Sequence, residues 1–133
     1  MKSITFTPPH PIFFICDHDN LDAVIPQYDP GCITSATDTC ISVGTIAAVD
    51  GDVTVTLAST IPESLCNSYI DVFSGNIEVP SRQIAIVSSE DEKLLSRAMA
   101  SSTICIRIFV DDNVYPQKIW VAVHDVDERA PLQ

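Results

Sequence analysis

The sequence predicts an all-β protein: an antiparallel β-sandwich of about eight or nine strands, with at most one short helix near residues 89–99. Three observations predict it. Long runs alternate apolar and polar residues with a period of two, which puts one face of a strand in a core and the other outward. Turn-forming residues fall between those runs every 8 to 12 positions or so, the rhythm of sandwiches. Only one segment reads as helical, so helices cannot supply a layer.

Taken in order, "MKSITFTPPHP" receives no strand. Its prolines at 8, 9 and 11 interrupt it before the apolar stretch of an export signal could form, so the chain is expected to be cytoplasmic. A weak strand follows at 12–16. A second, at 40–48, leads into Asp50-Gly51, a pair that tolerates positive φ and reads as a hairpin turn into 52–59. There Val53, Val55 and Leu57 share one face against Thr54 and Thr56. Short runs at 69–73, 76–79 and 82–87 are separated by "SGN" and "VPSR". The segment "SSEDEKLLSRAMA" offers Ser88 or Ser89 as a cap, acidic residues in a first turn, and Leu94, Leu95 and Ala98 as an apolar stripe, which together predict the helix. Two long strands close the chain. Ile104, Ile106, Ile108 and Val110 face inward in the first, and Ile119, Val121 and Val123 in the second, with "DDNVYP" joining them.

At 133 residues and 46% apolar composition, the chain reads as a single β-sandwich domain over 1–133, long enough to bury a full core without staples. No apolar run approaches the roughly 18 residues of a membrane span. Five cysteines, an odd number with no C-x-x-C, read as reduced thiols. Seven basic residues against eighteen acidic give a net charge of −11. That surface repels phosphate, which argues against nucleic acid or an anionic membrane as partners, and attracts a basic protein.

Chemistry is sparse. The stretch "CDHDNLD" at 16–22 gathers a thiol, an imidazole and carboxylates, yet a calcium loop starting at Asp17 would need Gly at 22 and Glu at 28, where Asp22 and Tyr28 stand. A metal shell would require His18 and His124 to meet in space. Cys16 and His18, two apart on a strand, lie about 6 to 7 Å from one another, too far for a thiol–base dyad. Neither a metal, a cofactor nor a catalytic residue is assigned, and the chain is not read as an enzyme. There is no G-x-S-x-G, P-loop or H-E-x-x-H. The paired carboxylates at Asp111-Asp112 and Asp125-Asp127 lie at turns and read as exposed charge. Trp120 projects away from Ile119, Val121 and Val123; it is either an exposed interface anchor or covered by the helix or the N-terminal segment.

From Gly31 onward the order of features resembles the ComJ family, small acidic inhibitors of a competence nuclease. The resemblance is carried by "GCITSATDTCISV", "VTVTL", "NSYIDVFSGNIEVPSRQIAIVS", "TICIRIFV" and "QKIWVAV", over about residues 31–125. It implies a β-sandwich whose acidic surface occupies the basic DNA-binding cleft of a nuclease. No binding residue transfers from it. Charge and resemblance together favour a non-enzymatic inhibitor or immunity-type protein that neutralises a basic nuclease or toxin. Asp17, Asp19, Asp111, Asp112, Asp125 and Asp127 would supply the charge if their loops cluster, with Tyr115 and Trp120 as anchors. The alternative is an intracellular structural or ligand-binding β-module that self-associates, for example as a homodimer, through a strand edge or Trp120.

Overall fold

A computed structural model describes residues 1–126, except 28 and 30 and the side chain of residue 48. Ten strands form two five-stranded sheets that face each other across one apolar interior. One sheet has the order β1 (Lys2–Phe6), β5 (Val53–Ala58), β10 (Lys118–Asp125), β9 (Thr103–Val110), β6 (Ile70–Glu78). The other runs β3 (Thr34–Ala36), β4 (Cys40–Gly44), β2 (Ile12–Cys16), β7 (Gln83–Ser88), β8 (Lys93–Ala98). All pairings are antiparallel except β5 with β10, which run parallel.

The alternation read from the sequence sets the interior. Val53, Val55 and Leu57 of β5, Ile104 to Val110 at every second place in β9, and Ile119, Val121 and Val123 of β10 are all buried. They meet Phe13, Ile15, Ile41, Val43, Ile84 and Ile86 from the opposing sheet. Each such side chain contributes roughly 1.5–3 kcal/mol relative to exposure.

Four sequence expectations are corrected. The segment expected as a helix near 89–99 is strand β8 behind a tight turn. Ser88 Oγ does accept amide protons, from Glu90 and Glu92 at 3.2 Å each, but it closes a turn in which Asp91 takes φ 65°. The open edge of β7 then captures Lys93–Ala98, because pairing with that edge satisfies a row of backbone groups that a two-turn helix would leave exposed. Asp50-Gly51 does not close a hairpin. Gly51 has the positive φ expected, 132°, but follows a single 3-10 turn, Ala48–Asp50, and the chain leaves β4 for the other sheet. Both flanks of β4 and of β5 are already occupied. "SGN" is no break: Gly75 lies inside β6, where an added Cβ would come within 3.0 Å of the Phe73 ring. Finally, the N-terminus forms β1. Its Ile4 and Phe6 reach the core, and Ser3 and Thr5 hydroxyls bond those of Thr56 and Thr54 at 2.7 and 2.8 Å.

Trp120 is covered, by neither element expected. The segment 59–69, including the short helix α1 (Glu63–Cys66), crosses the outer face of the first sheet and lays Ile61, Leu65 and Tyr69 over Ala58, Phe109, Trp120 and Ala122. The indole Nε1 donates to the Thr60 carbonyl at 2.9 Å.

Truncating the core at Ile86→Ala is expected to destabilise the protein by about 2–5 kcal/mol, whereas Leu21→Ala, at a side chain 95% exposed, should stay within about 0.5 kcal/mol. Urea unfolding of both variants checks the contrast.

Candidate functional site

The strand registers divide the connections between the two ends of the sandwich. β9 and β10 turn at 111–117. The Ile46 amide donates to the Pro116 carbonyl at 3.0 Å and the Thr45 amide to Pro11 at 2.9 Å, so the 7–11 and 45–52 connections lie at that same end. So does the β7–β8 turn, because Ser88 pairs with Phe13 near the start of β2. The connections 37–39, 79–82 and 99–102 occupy the other end.

At the first end, two carboxylates shape the β9–β10 loop. Asp111 Oδ1 accepts the amides of Gln117 and Lys118, both at 3.0 Å. Asp112 Oδ1 accepts those of Val114 and Tyr115 at 2.8 and 3.0 Å. The Tyr115 and Val114 amides hold the Asp112 carboxyl below its usual pKa range. The loop so fixed presents Val114 and Tyr115, 63% and 68% exposed, beside a 45–52 connection whose Val49 is 92% exposed. Exposed Asp50 and Asp52 flank them, Asp52 accepting the Thr7 hydroxyl at 2.6 Å. Asp29 shares a cleft with Pro11, Asn113 and Val114. Glu90, Asp91 and Glu92 project from the neighbouring turn. Among the described residues, the lysines at this end are Lys93 and Lys118. At the opposite end Asp17, Asp38, Glu78 and Asp125 stand among Lys2, Arg82 and Arg97. Negative charge is therefore concentrated at the β9–β10 end, framing an apolar tip.

The residues expected to carry binding are split. Asp111, Asp112 and Tyr115 belong to this end. Asp17 and Asp125 sit at the other, where both hold loops together. Asp17 is 1% exposed and accepts the Ser81 amide at 2.7 Å, the Ser81 hydroxyl at 2.6 Å and the Asp19 amide at 3.0 Å. Asp125 Oδ1 accepts the amides of Ala100 and Ser101 at 3.1 and 2.8 Å. Asp19 is exposed on the loop that folds over the second sheet. Trp120, 9% exposed with its N–H already bonded, has little surface to offer. Asp127 lies outside the described residues. Sequence reasoning missed Asp29, Asp50, Asp52 and the Glu90, Asp91, Glu92 turn.

The two histidine segments do not meet. His124 points out of the first sheet, since its neighbour Val123 faces the core. His18 lies over the second sheet, its Nε2 3.1 Å from Asp91 Oδ1. Among the described residues, no three His, Cys, Asp or Glu side chains converge to hold a metal ion. No helix among the described residues is long and apolar enough to cross a membrane.

This architecture defines a class: a β-sandwich of two five-stranded sheets, with exposed carboxylates gathered around its β9–β10 loop. No protein-family model matches the sequence, and no curated protein matches it significantly. Among solved structures, the chain is similar to ComJ from Bacillus subtilis, described as an inhibitor of the DNA-degrading activity of NucA. The superposition has a TM-score of 0.69 at 16% identity and covers 95% of this chain and 96% of ComJ. The shared fold thus extends beyond residues 31–125 to the N-terminal strands.

Two measurements follow from the carboxylate bonds. Asp17→Ala should destabilise the protein by about 1–3 kcal/mol, because the Ser81 amide and hydroxyl lose their acceptor. A folded carboxyl held low stabilises above its unfolded pKa and loses that contribution as pH falls through the folded value. In an acid titration the Val114 and Tyr115 amide resonances should therefore move with a midpoint below that of an ordinary exposed aspartate.

Proposed function

We propose that this chain is a non-enzymatic binding protein that neutralises a basic partner, a nuclease in the first instance, through its β9–β10 end. The carrying observation is the placement there of Asp29, Asp50, Asp52, Asp111 and Asp112 around exposed Tyr115, Val114 and Val49. A DNA-binding cleft offers cationic side chains spaced to meet phosphates. Carboxylates on fixed loops can meet the same side chains, and electrostatic complementarity of this kind speeds association and selects the partner. An exposed tyrosine inside a polar rim has the character of an interface anchor. The ComJ likeness supports the inhibitor class.

Bacillus subtilis NucA, the nuclease named with ComJ, is the first probe, and an affinity capture from the source organism is the second. The expected result is stoichiometric loss of DNA cleavage that weakens as salt rises. Asp50→Lys combined with Glu90→Lys should weaken binding by tenfold or more, and Tyr115→Ala by a similar factor. A captured partner without basic character, or binding indifferent to salt and to these changes, removes this reading.

A self-associating module is the second reading, favoured by Leu21, Val24 and Ile25, which are 95%, 58% and 64% exposed on one loop. Sedimentation over a concentration series separates it: a monomer throughout eliminates self-association.

A further inference from the structure

All five cysteines are free thiols, and two of them face each other. Cys16, the last residue of β2, is the register partner of Cys40, the first of β4. The type of that pair can be counted along the ladder. The Thr45 amide donates to the Pro11 carbonyl, one step beyond the Ile12–Gly44 pair, so Pro11 and Thr45 form a hydrogen-bonded pair. In an antiparallel ladder such pairs alternate with non-hydrogen-bonded ones. Cys16 lies an odd number of residues from Pro11, which makes Cys16–Cys40 a non-hydrogen-bonded pair. Opposed Cα atoms there lie about 4.5 Å apart and side chains approach closest. A disulfide bridges Cα separations of about 4.4–6.8 Å.

Both thiols leave the outer face of the sheet, since Ile15 and Ile41 beside them face the core. They line a cleft of about 280 Å³ between that face and the folded-back loop, with His18 and Leu21 on the loop side. A small molecule can therefore reach Cys16, with Cys40 behind it. Cys16 is partly exposed and Cys40 buried. The neighbouring Cys40 thiol lowers the Cys16 pKa against the opposing influence of burial and of Asp17 and Asp91. The proximity of Cys16, together with burial, pushes Cys40 up. Cys16 is thus the thiol open to attack from the cleft. Exposed Cys32 differs: a hydrogen bond to Asp29 raises its pKa.

The geometry points to Cys16 and Cys40 as a modification site, a dithiol that low-molecular-weight disulfides oxidise to a cross-strand disulfide. The Cys16 thiolate attacks one sulfur of the small disulfide, forming a mixed disulfide and releasing a small thiolate. Cys40 gives up its proton, which the released thiolate takes, and its sulfur attacks the Cys16 sulfur, expelling the second small thiolate. The small disulfide is reduced to two thiols while the protein dithiol loses two hydrogens.

The test uses the full chain with exposed Cys32 and Cys66 replaced by serine. After treatment with glutathione disulfide under native conditions, peptide mapping should find Cys16 joined to Cys40, reversibly by dithiothreitol. Cys40→Ser should stop the reaction at a glutathione adduct on Cys16, and Cys16→Ser should leave Cys40 unmodified. Because Cys40 is buried and its variant could misfold, the wild-type chain is also treated with one equivalent of phenylarsine oxide, which binds paired thiols. Protection of Cys16 and Cys40 together from alkylation is expected. Oxidation elsewhere with both thiols still alkylatable, a lasting Cys16 adduct despite Cys40, or no protection by the arsenical would each overturn the proposal.

Discussion

Two sheets with apolar inner faces cannot persist apart in water, and the rest of this molecule follows from how the chain binds them together. It passes from one sheet to the other four times, at 7–11, 45–52, 79–82 and 99–102. Neither sheet can therefore be completed without the other. Phe13 and Ile15 reach the interior only because residues 7–11 have left β1, and Ile104 only because 99–102 has left β8. The crossings place the loops, and the loops carry the surface charge.

The two ends use aspartate differently for a physical reason. Near Ser81 the chain is packed, and a buried carboxylate persists there because every acceptor direction in use meets a donor: Asp17 takes two backbone amides and a hydroxyl. At the β9–β10 turn the carboxylates of Asp111 and Asp112 each satisfy two loop amides yet remain exposed. Structural and interactive roles coincide in these two residues, so the loop that displays Tyr115 is held by the same charges a basic partner would meet. Asp50 and Glu90 are freer to vary without disturbing that loop.

The alternation of β5, β9 and β10 was legible in the sequence because each places β-branched or leucine side chains at every second position toward the core, and the 111–116 turn because it lies between two such strands. The Asp50-Gly51 turn was legible as chemistry, since Gly51 does take a positive φ, but not as topology, since pairing depends on which flanks other strands have filled. Strand β8 was misread because Ser88 receives amides in a tight turn much as it would at a helix start. Which carboxylates gather at one end depends on counting strands, and two connections defeat the count. Residues 17–27 and 59–69 each travel back along an outer face without forming a full-length strand. With β1, β3 and β8 also missing from the count, Asp17 and Asp125 were grouped with Asp111 and Asp112, from which a strand's length separates them.

The cover over Trp120 has an optical consequence. It is the chain's sole tryptophan, and its indole sits beneath residues 59–69 with its N–H bonded to Thr60. Its emission therefore reports directly on that crossing segment. A shift to longer wavelength would signal that the segment has lifted and let water reach the ring, even while the two sheets behind it stay closed.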